Sequence, residues 1–447
     1  MSSEGRFDNG GVFYIPKCGR VVETPKAKQL GSFIDARVSP YEVVEDLRKY
    51  EGLLPETSHW NLEPGKTYYV VRNSSIIKFS IPENIKDIKS VNLVLVHNDS
   101  PTFKIKPNSE IYSNGFTKLN VEPYGGMIDY SWFDRPLGIA GRVALNTRDG
   151  ITMRDISINK DILTIPSQAI HINNQVNKGI EFNRQKDLLP ILGQGELKVE
   201  DIIKEYNDYI KEDIIDYDLS LYVREPSKII GANKEFLQAP RLDDLGSLFP
   251  ANEAFEDAHN DGAINVLCVL NNEEIGSLTN QGADSTFVSD VLHRIGKELN
   301  IGIRRLLRQG IAISADNAHA VHPNAAEKAD PTNKVEINKG VAIKHHTNYA
   351  TDSLSSAVFK RICMNADVPY QDYAHRSDMR CGATLGPIAQ SHIPCDIVDI
   401  GVPQWGMHSA VETCGVDDIE YMYQALKEYY ESIITRPNYY DIDIKRK

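Results

Sequence analysis

Apolar residues gather along this chain in runs of two kinds. "VNLVLVH" (91–97), "INVLCVL" (264–270), "GIAISA" (310–315) and "CDIVDIGV" (395–402) are almost unbroken over the length of a strand. Continuity in place of alternation predicts strands buried on both faces. Other stretches carry apolar residues at helical spacing: "YEVVEDLRKYEGL" (41–53), "STFVSDVLHRIGKEL" (285–299), "SLSSAVFKRICMNA" (353–366) and "DIEYMYQALKEYYESII" (418–434). In "KTYYVVRNSSIIKFSI" (66–81) two β-branched and aromatic runs flank Asn73, Ser74 and Ser75, which predicts a hairpin. Strands that alternate with helices point to an α/β fold, a mixed sheet flanked by helices.

The pattern changes in the middle of the chain. Between residues 101 and 239 the apolar pieces are short and β-prone, and turn residues are frequent. One charged stretch there, "VEDIIKEYNDYIKEDIID" (199–216), has helical spacing. The expected organisation is a sheet begun by residues 1–100, a β-rich insertion over 101–239, and a return to the first sheet over 240–447.

At 447 residues and 41% hydrophobic content, the chain can bury one large core and a second, smaller one. Its net charge of -13 opposes binding to phosphate backbones, which depends on Lys and Arg, so no nucleic-acid partner is expected. No apolar run approaches the roughly 20 residues that span a bilayer, and "MSSEGRFDNGG" lacks the charged and apolar regions of a signal peptide. The expectation is a cytosolic (cytoplasmic) protein with no membrane partner. Cysteine usage agrees with that compartment. Cys18, Cys268, Cys363, Cys381, Cys395 and Cys414 form no CxxC pair, and reduced, partly buried thiols are expected.

The residues that follow the apolar strands carry the chemistry. Val96 is followed by His97 and Asp99, Leu270 by Glu273 and Glu274, Ala315 by Asp316 and then His319 and His322, and "DIGVPQWGMHS" contains His408. In open α/β sheets, ligands bind beyond the carboxyl ends of the strands, where loops converge. Taken singly, each residue has an ordinary reading, because an Asp after a strand usually begins a turn or caps a helix. Glu273 and Glu274 are harder to absorb, since a strand end beside a core is a costly place for adjacent negative charges. Lys or Arg could balance them, but divalent cations account for more of the pattern. A pair of ions about 3.5–4 Å apart needs a shared carboxylate, His and carboxylate ligands on either side, and an open position. His97, Asp243, Asp316, Glu274 and His408 supply that set. A spare glutamate remains to take a proton, and Asp99 is spaced to orient the His97 imidazole.

Several segments together resemble the M18 metallo-aminopeptidases, the aspartyl aminopeptidase group within the clan of dizinc exopeptidases. They are "VHNDSPTFKIKPN" (96–108), "KLNVEPYGGMIDYSWFDRPLGIAGRV" (118–143), "IPSQAIH" (165–171), "APRLDDL" (239–245), "NNEEIGS" (271–277), "SADNAHAVHPN" (314–324), "DMRCGATLGP" (378–387) and "DIGVPQWGMHS" (399–409). They keep the family's order over nearly the whole chain. The resemblance implies a dizinc exopeptidase-like fold with an inserted β-rich dimerisation domain, and dimers assembled into a hollow tetrahedral dodecamer. It implies peptide substrates that lose their N-terminal residue, acidic or neutral. Two divalent metal ions per subunit are implied as cofactors, Zn²⁺ by ligand type, with Mn²⁺ and Co²⁺ compatible with mixed His and carboxylate sites.

Carried over residue by residue, the resemblance makes His97, Asp243 and Asp316 the ligands of one ion, and Asp243, Glu274 and His408 those of the other, with Asp243 as the bridge. It makes Glu273 the general base and Asp99 the carboxylate behind His97, while Asp244 stands where relatives often have Asn. His171 matches a histidine that reaches into a neighbouring subunit's active site, and His319 and His322 fall on the leaving side of the substrate pocket. Acidic selectivity needs a positive group, for which Lys344 and Arg380 are the candidates. Arg380 stands where several aspartyl-specific relatives carry Pro, and "KHHTNYATD" (344–352) lacks their Gln-Arg-Tyr run. Two alternatives stand beside this reading. One is another dizinc hydrolase of the clan, such as a carboxypeptidase or deacylase; the other is an assembly or cargo protein with a vestigial site.

Overall fold

The computed structural model describes residues 4–6, 12–14, 25–438 and 440–446. Its main sheet has eight strands, ordered Tyr370–Ala374, Val341–His345, Asp396–Gly401, Ile311–Ala315, Ser90–His97, Ala263–Leu270, Ser75–Ser80 and Thr67–Arg72. The strands from Asp396–Gly401 to Ala263–Leu270 are mutually parallel, and antiparallel neighbours flank them. Their carboxyl ends therefore all lie along one edge of the sheet.

Each of these parallel strands is covered twice. Val94, Val96, Leu267, Val269 and Ile313 pack on one face with residues of the helices Pro25–Ala36, Leu242–Asp257 and Val416–Glu431. Leu93, Leu95, Val266 and Cys268 pack on the other with the helices Phe287–Glu298 and Leu385–Gln390. Successive side chains of a strand point to opposite faces. A strand with helices on both sides thus needs an apolar residue at every position, which is the unbroken pattern of its sequence. The hairpin is also as expected, with Thr67–Arg72 and Ser75–Ser80 paired across Asn73, whose φ is 55°.

Between Thr102 and Val223 the chain builds a separate antiparallel sheet. Its strands are ordered Ile191–Gln194, Phe116–Tyr124, Thr102–Ser113, Asp213–Val223, Leu137–Thr147 and Gly150–Leu163. Phe103, Leu119, Trp132, Ile139, Ile156 and Leu221 fill a core of its own. Strand pairing then hands the chain back. Lys228–Ile230 pairs with Phe236–Ala239, which pairs with Glu412–Gly415 near the end of the chain.

Some boundaries differ from the sequence pattern. The helix expected over 199–216 ends at Tyr206, and Asp213–Val223 is a central strand of the second sheet. Pairing on both sides, with Leu219 and Leu221 buried, outweighs the helical spacing of the charges there. The last helix spans Val416–Glu431, and Ser432–Thr435 leaves it to pair with Asp443–Arg446. The first expected helix stops at Leu47, and Pro25–Ala36 is a helix outside the stretches marked by spacing. Cys268, Cys363, Cys381, Cys395 and Cys414 are free and buried, while Cys18 lies outside the described residues. Among the described residues, no helix is long and apolar enough to cross a membrane.

Candidate metal centre

The candidate residues meet at the carboxyl edge of the main sheet. His97 closes the strand Ser90–His97, Glu273–Ile275 forms a 3-10 turn just after Ala263–Leu270, and Asp316 directly follows Ile311–Ala315. Asp243 lies at the start of the helix Leu242–Asp257, and His408 in the loop after Pro403–Trp405. Donor atoms within 4.8 Å of one another group as His97, Asp243, Asp244 and Asp316; as His97, Glu273 and Glu274; and as Asp243, Glu274 and His408. His97 Nε2 is 3.3 Å from Asp243 Oδ1 and 3.9 Å from Asp316 Oδ1. His408 Nε2 is 3.4 Å from both Asp243 Oδ2 and Glu274 Oε2.

Those spacings are long for charge-assisted hydrogen bonds, which close to about 2.7–2.9 Å. They fit ligands around an ion instead, because donor atoms bound at about 2.0–2.1 Å in a tetrahedron sit ~3.3 Å apart. Asp244 Oδ1 and Glu274 Oε1 are buried without a hydrogen-bond partner among the described residues. The donor set therefore fits divalent cations.

Electrostatics point the same way. Burial, with Asp316, Asp99 and Asp243 nearby, pushes Glu273 up to about 8 despite the opposing pull of His97. Burial also raises Asp244 and Glu274 well above the usual carboxylate range. For His97 burial favours the neutral ring, yet Asp243, Asp316 and Asp99 outweigh it and hold the imidazole well above its ordinary value. His408 is treated alike: burial lowers it, but Asp243 and Glu274 drive it up to about 10. Carboxyls so crowded hold protons only because little positive charge faces them, and bound cations would reverse that balance.

The second sheet helps to build this site. Tyr124, at the end of Phe116–Tyr124, donates to Asp99 Oδ2 at 2.6 Å and accepts from Asn272 Nδ2 at 3.0 Å. Asp99 accepts the backbone N–H groups of Glu273 and Glu274 at 3.2 and 3.1 Å, so its carboxylate fixes the turn that carries both glutamates. The nearest partner of His97 Nδ1 is instead the main-chain carbonyl of Asp99 at 3.0 Å, with the Asp99 carboxylate at 3.4 Å. Gly125, with φ of 76°, packs where a Cβ would come within 3.2 Å of Glu274 Cβ. The next carbonyl, of Gly126, accepts His408 Nδ1 at 2.6 Å. Buried Glu412 accepts the N–H of Asp243 at 2.9 Å and that of His408 at 2.7 Å. Tyr124, Gly126 and Glu412 carry no signal of their own in the sequence, although "EPYGGM" lies inside the segment 118–143 that resembles the family.

A family model described as aminopeptidase I zinc metalloprotease (M18) matches residues 33–430. The chain belongs to the M18 aminopeptidase family. A probable M18 family aminopeptidase 2 of Clostridium novyi (strain NT) is 44% identical, over 90% of this chain and 98% of that one. Ape4 in its complex with Nbr1 has a TM-score of 0.86 at 32% identity, covering 91% of this chain and 85% of that one. The S. cerevisiae mApe1 dodecamer shares the fold, with a TM-score of 0.78 at 24% identity over 91% and 96% of the two chains. As an M18 member the chain is a peptide hydrolase of aminopeptidase type, from a zinc metalloprotease family.

The remaining candidate residues of this M18 aminopeptidase scatter. Buried Lys344 lies 3.5 Å from Asp316 Oδ2 and 5.6 Å from the centre of the Tyr349 ring. His319 and His322 line a cavity of about 470 Å³ together with Tyr373 and His375. Arg380 is exposed at the end of a turn, and Arg376 rather than Arg380 lines that cavity. His171 is exposed in a turn of the region that carries the second sheet and is not among the residues that group as metal ligands.

Proposed function

We propose that this M18 member is an aminopeptidase that removes the N-terminal residue of peptides with two co-catalytic metal ions and Glu273 as general base. The convergence of His97, Asp243, Glu274, Asp316 and His408, at spacings of 3.3 to 3.9 Å, carries this reading. His97, Asp243 and Asp316 would hold one ion, and Asp243, Glu274 and His408 the other, with Asp243 shared. Bound cations would polarise the scissile carbonyl and lower the pKa of the attacking water.

The chain's own groups do the rest. Glu273 takes the proton of the attacking water on its carboxylate and delivers it to the nitrogen of the leaving amine. Asp99 keeps that carboxylate in place through the backbone of the turn. Lys344, buried beside Asp316, would favour an acidic first residue while leaving neutral ones acceptable. Zn²⁺ suits the donor set, and Mn²⁺ or Co²⁺ would also fit mixed imidazole and carboxylate ligands.

The sheet of Thr102–Val223 is proposed as the dimerisation unit of residues 101–239. Its outer strand Gly150–Leu163 leaves Ile151 68% and Met153 49% exposed, apolar surface suited to a second subunit. Assembly through it would bring His171 towards a neighbouring active site and continue to a dodecamer in the cytosol. The activity is tested with a panel of Asp, Glu and Leu aminoacyl substrates beside their N-acetylated forms. Only the free amines should turn over; comparable hydrolysis of the blocked forms would contradict an aminopeptidase.

A further inference from the structure

Asp244 follows Asp243, the carboxylate proposed to be shared by both ions, and has no task of its own in the two-metal set. Its exposure is 0%. A carboxylate so placed is costly unless a hydrogen-bond donor or a cation meets each of its oxygens. Asp244 Oδ2 accepts the main-chain N–H of His97 at 3.2 Å. Oδ1 is buried and has no hydrogen-bond partner among the described residues.

The local backbone brings both aspartates to one place. Neighbouring side chains of a regular helix diverge by about 100°. Asp243 and Asp244 depart from helical dihedrals, with φ of -83° and ψ of 108° at the first and φ of -114° and ψ of 20° at the second. Glu412 accepts the N–H of Asp243 at 2.9 Å, and the Ser100 hydroxyl donates to the Asp243 carbonyl at 2.7 Å, so this conformation is held from two sides. A carboxylate oxygen of Asp244 then lies within 4.8 Å of donor atoms of His97, Asp243 and Asp316, all in one group. With Oδ2 engaged by the N–H of His97, Oδ1 is the oxygen left to act as a donor.

We propose that Asp244 Oδ1 is a fourth protein ligand of the ion held by His97, Asp243 and Asp316, and that it biases this position towards Mn²⁺ relative to Zn²⁺. The assignment rests on the two-metal reading and goes beyond it. One imidazole and three carboxylates form an oxygen-rich set of the kind that suits Mn²⁺, whereas imidazole suits Zn²⁺. Coordination number acts in the same direction. Four protein ligands close a tetrahedral site, while a six-coordinate ion with the same ligands keeps two positions open. Because Zn²⁺ binds a given donor set more tightly than Mn²⁺, the bias is read as a ratio of affinities.

The test compares the unaltered chain with Asp244→Asn, both stripped of metal by a chelator. Asn keeps an oxygen for the N–H of His97 and puts an amide nitrogen in place of Oδ1. Mn²⁺ binding is followed by the electron paramagnetic resonance of the free ion, and Zn²⁺ binding by competition with a chromophoric chelator. Asp244→Asn should weaken Mn²⁺ at one of the two sites by at least about tenfold and Zn²⁺ by much less, so that the ratio of Zn²⁺ to Mn²⁺ affinity rises. Equal weakening of both ions would make Asp244 a support of the His97 backbone and overturn the assignment, as would unchanged binding of both. Should the variant fail to fold, a crystal structure of the unaltered protein with Mn²⁺ decides: a bond of about 2.2 Å from Oδ1 to the ion supports the assignment, and a separation beyond about 3 Å overturns it. Two ions per unaltered chain with an unmoved ratio in the variant sink this assignment alone. An unaltered chain that takes up no more than one ion contradicts the two-metal reading and this assignment with it.

Discussion

The Tyr124 hydroxyl donates to Asp99 Oδ2 at 2.6 Å, joining a strand of the second sheet to the loop after a central strand of the first. Asp99 passes that constraint to the backbone of Glu273 and Glu274. A hydrogen bond to a charged group is worth about 1.5–3 kcal/mol. Tyr124→Phe should therefore lower kcat by about tenfold or more without changing metal content, since about 1.4 kcal/mol in the barrier is tenfold in rate. A kcat equal to that of the unaltered protein would show that the turn holds its geometry without Tyr124.

Glu412 is the second such support. Its carboxylate oxygens accept the N–H groups of Asp243 and His408, two residues proposed as metal ligands. Glu412→Gln turns an amide N–H₂ towards one of those N–H groups. Leaving a buried donor unsatisfied costs about 1–3 kcal/mol. Equilibrium unfolding should show that loss, and metal should bind more weakly to the variant.

Stability of the metal-free protein should fall as pH rises. His408 is driven to about 10 against an ordinary 6.5, so its contribution is complete below 6.5 and lost as pH passes through about 10. Glu273 is pushed to about 8 against 4.5, and the fold loses stability between those values as the unfolded carboxyl ionises first. Both shifts have the same sign. Cations must displace the same protons. Chelated protein should thus melt at lower temperature near pH ~9 than near pH ~6, and Zn²⁺ should raise its Tm more at the higher pH. A metal-induced shift that shrinks with rising pH would contradict the assignment of these groups as ligands.

What the sequence made legible follows from where the information sits. His97, Glu273, Glu274 and Asp316 each follow an unbroken apolar strand, and parallel strands bring their ends together whatever the details of packing. Tyr124 and Gly126 act on Asp99 and His408 from another part of the chain, and Glu412 joins its near neighbour His408 to distant Asp243, so no local spacing announces these roles. The stretch 199–216 misled because its charges repeat at helical spacing while its partners, Thr102–Ser113 and Leu137–Thr147, lie far off in the sequence. Cavity-lining residues are the least legible, since a histidine's spacing does not say which surface it lines. Arg376 rather than Arg380 at the cavity is the example.

The central claim is that Glu273 moves the proton while its neighbour and four other residues hold metal. It is tested most directly by the turnover of Glu273→Gln at measured, full metal occupancy on a free-amine substrate. General acid–base catalysis contributes about 10²–10⁴-fold. The expected result is a loss of kcat of that size with metal content and Tm close to those of the unaltered protein. A kcat within about threefold of the unaltered enzyme at equal metal content, far short of that range, would contradict the assignment of Glu273 as general base.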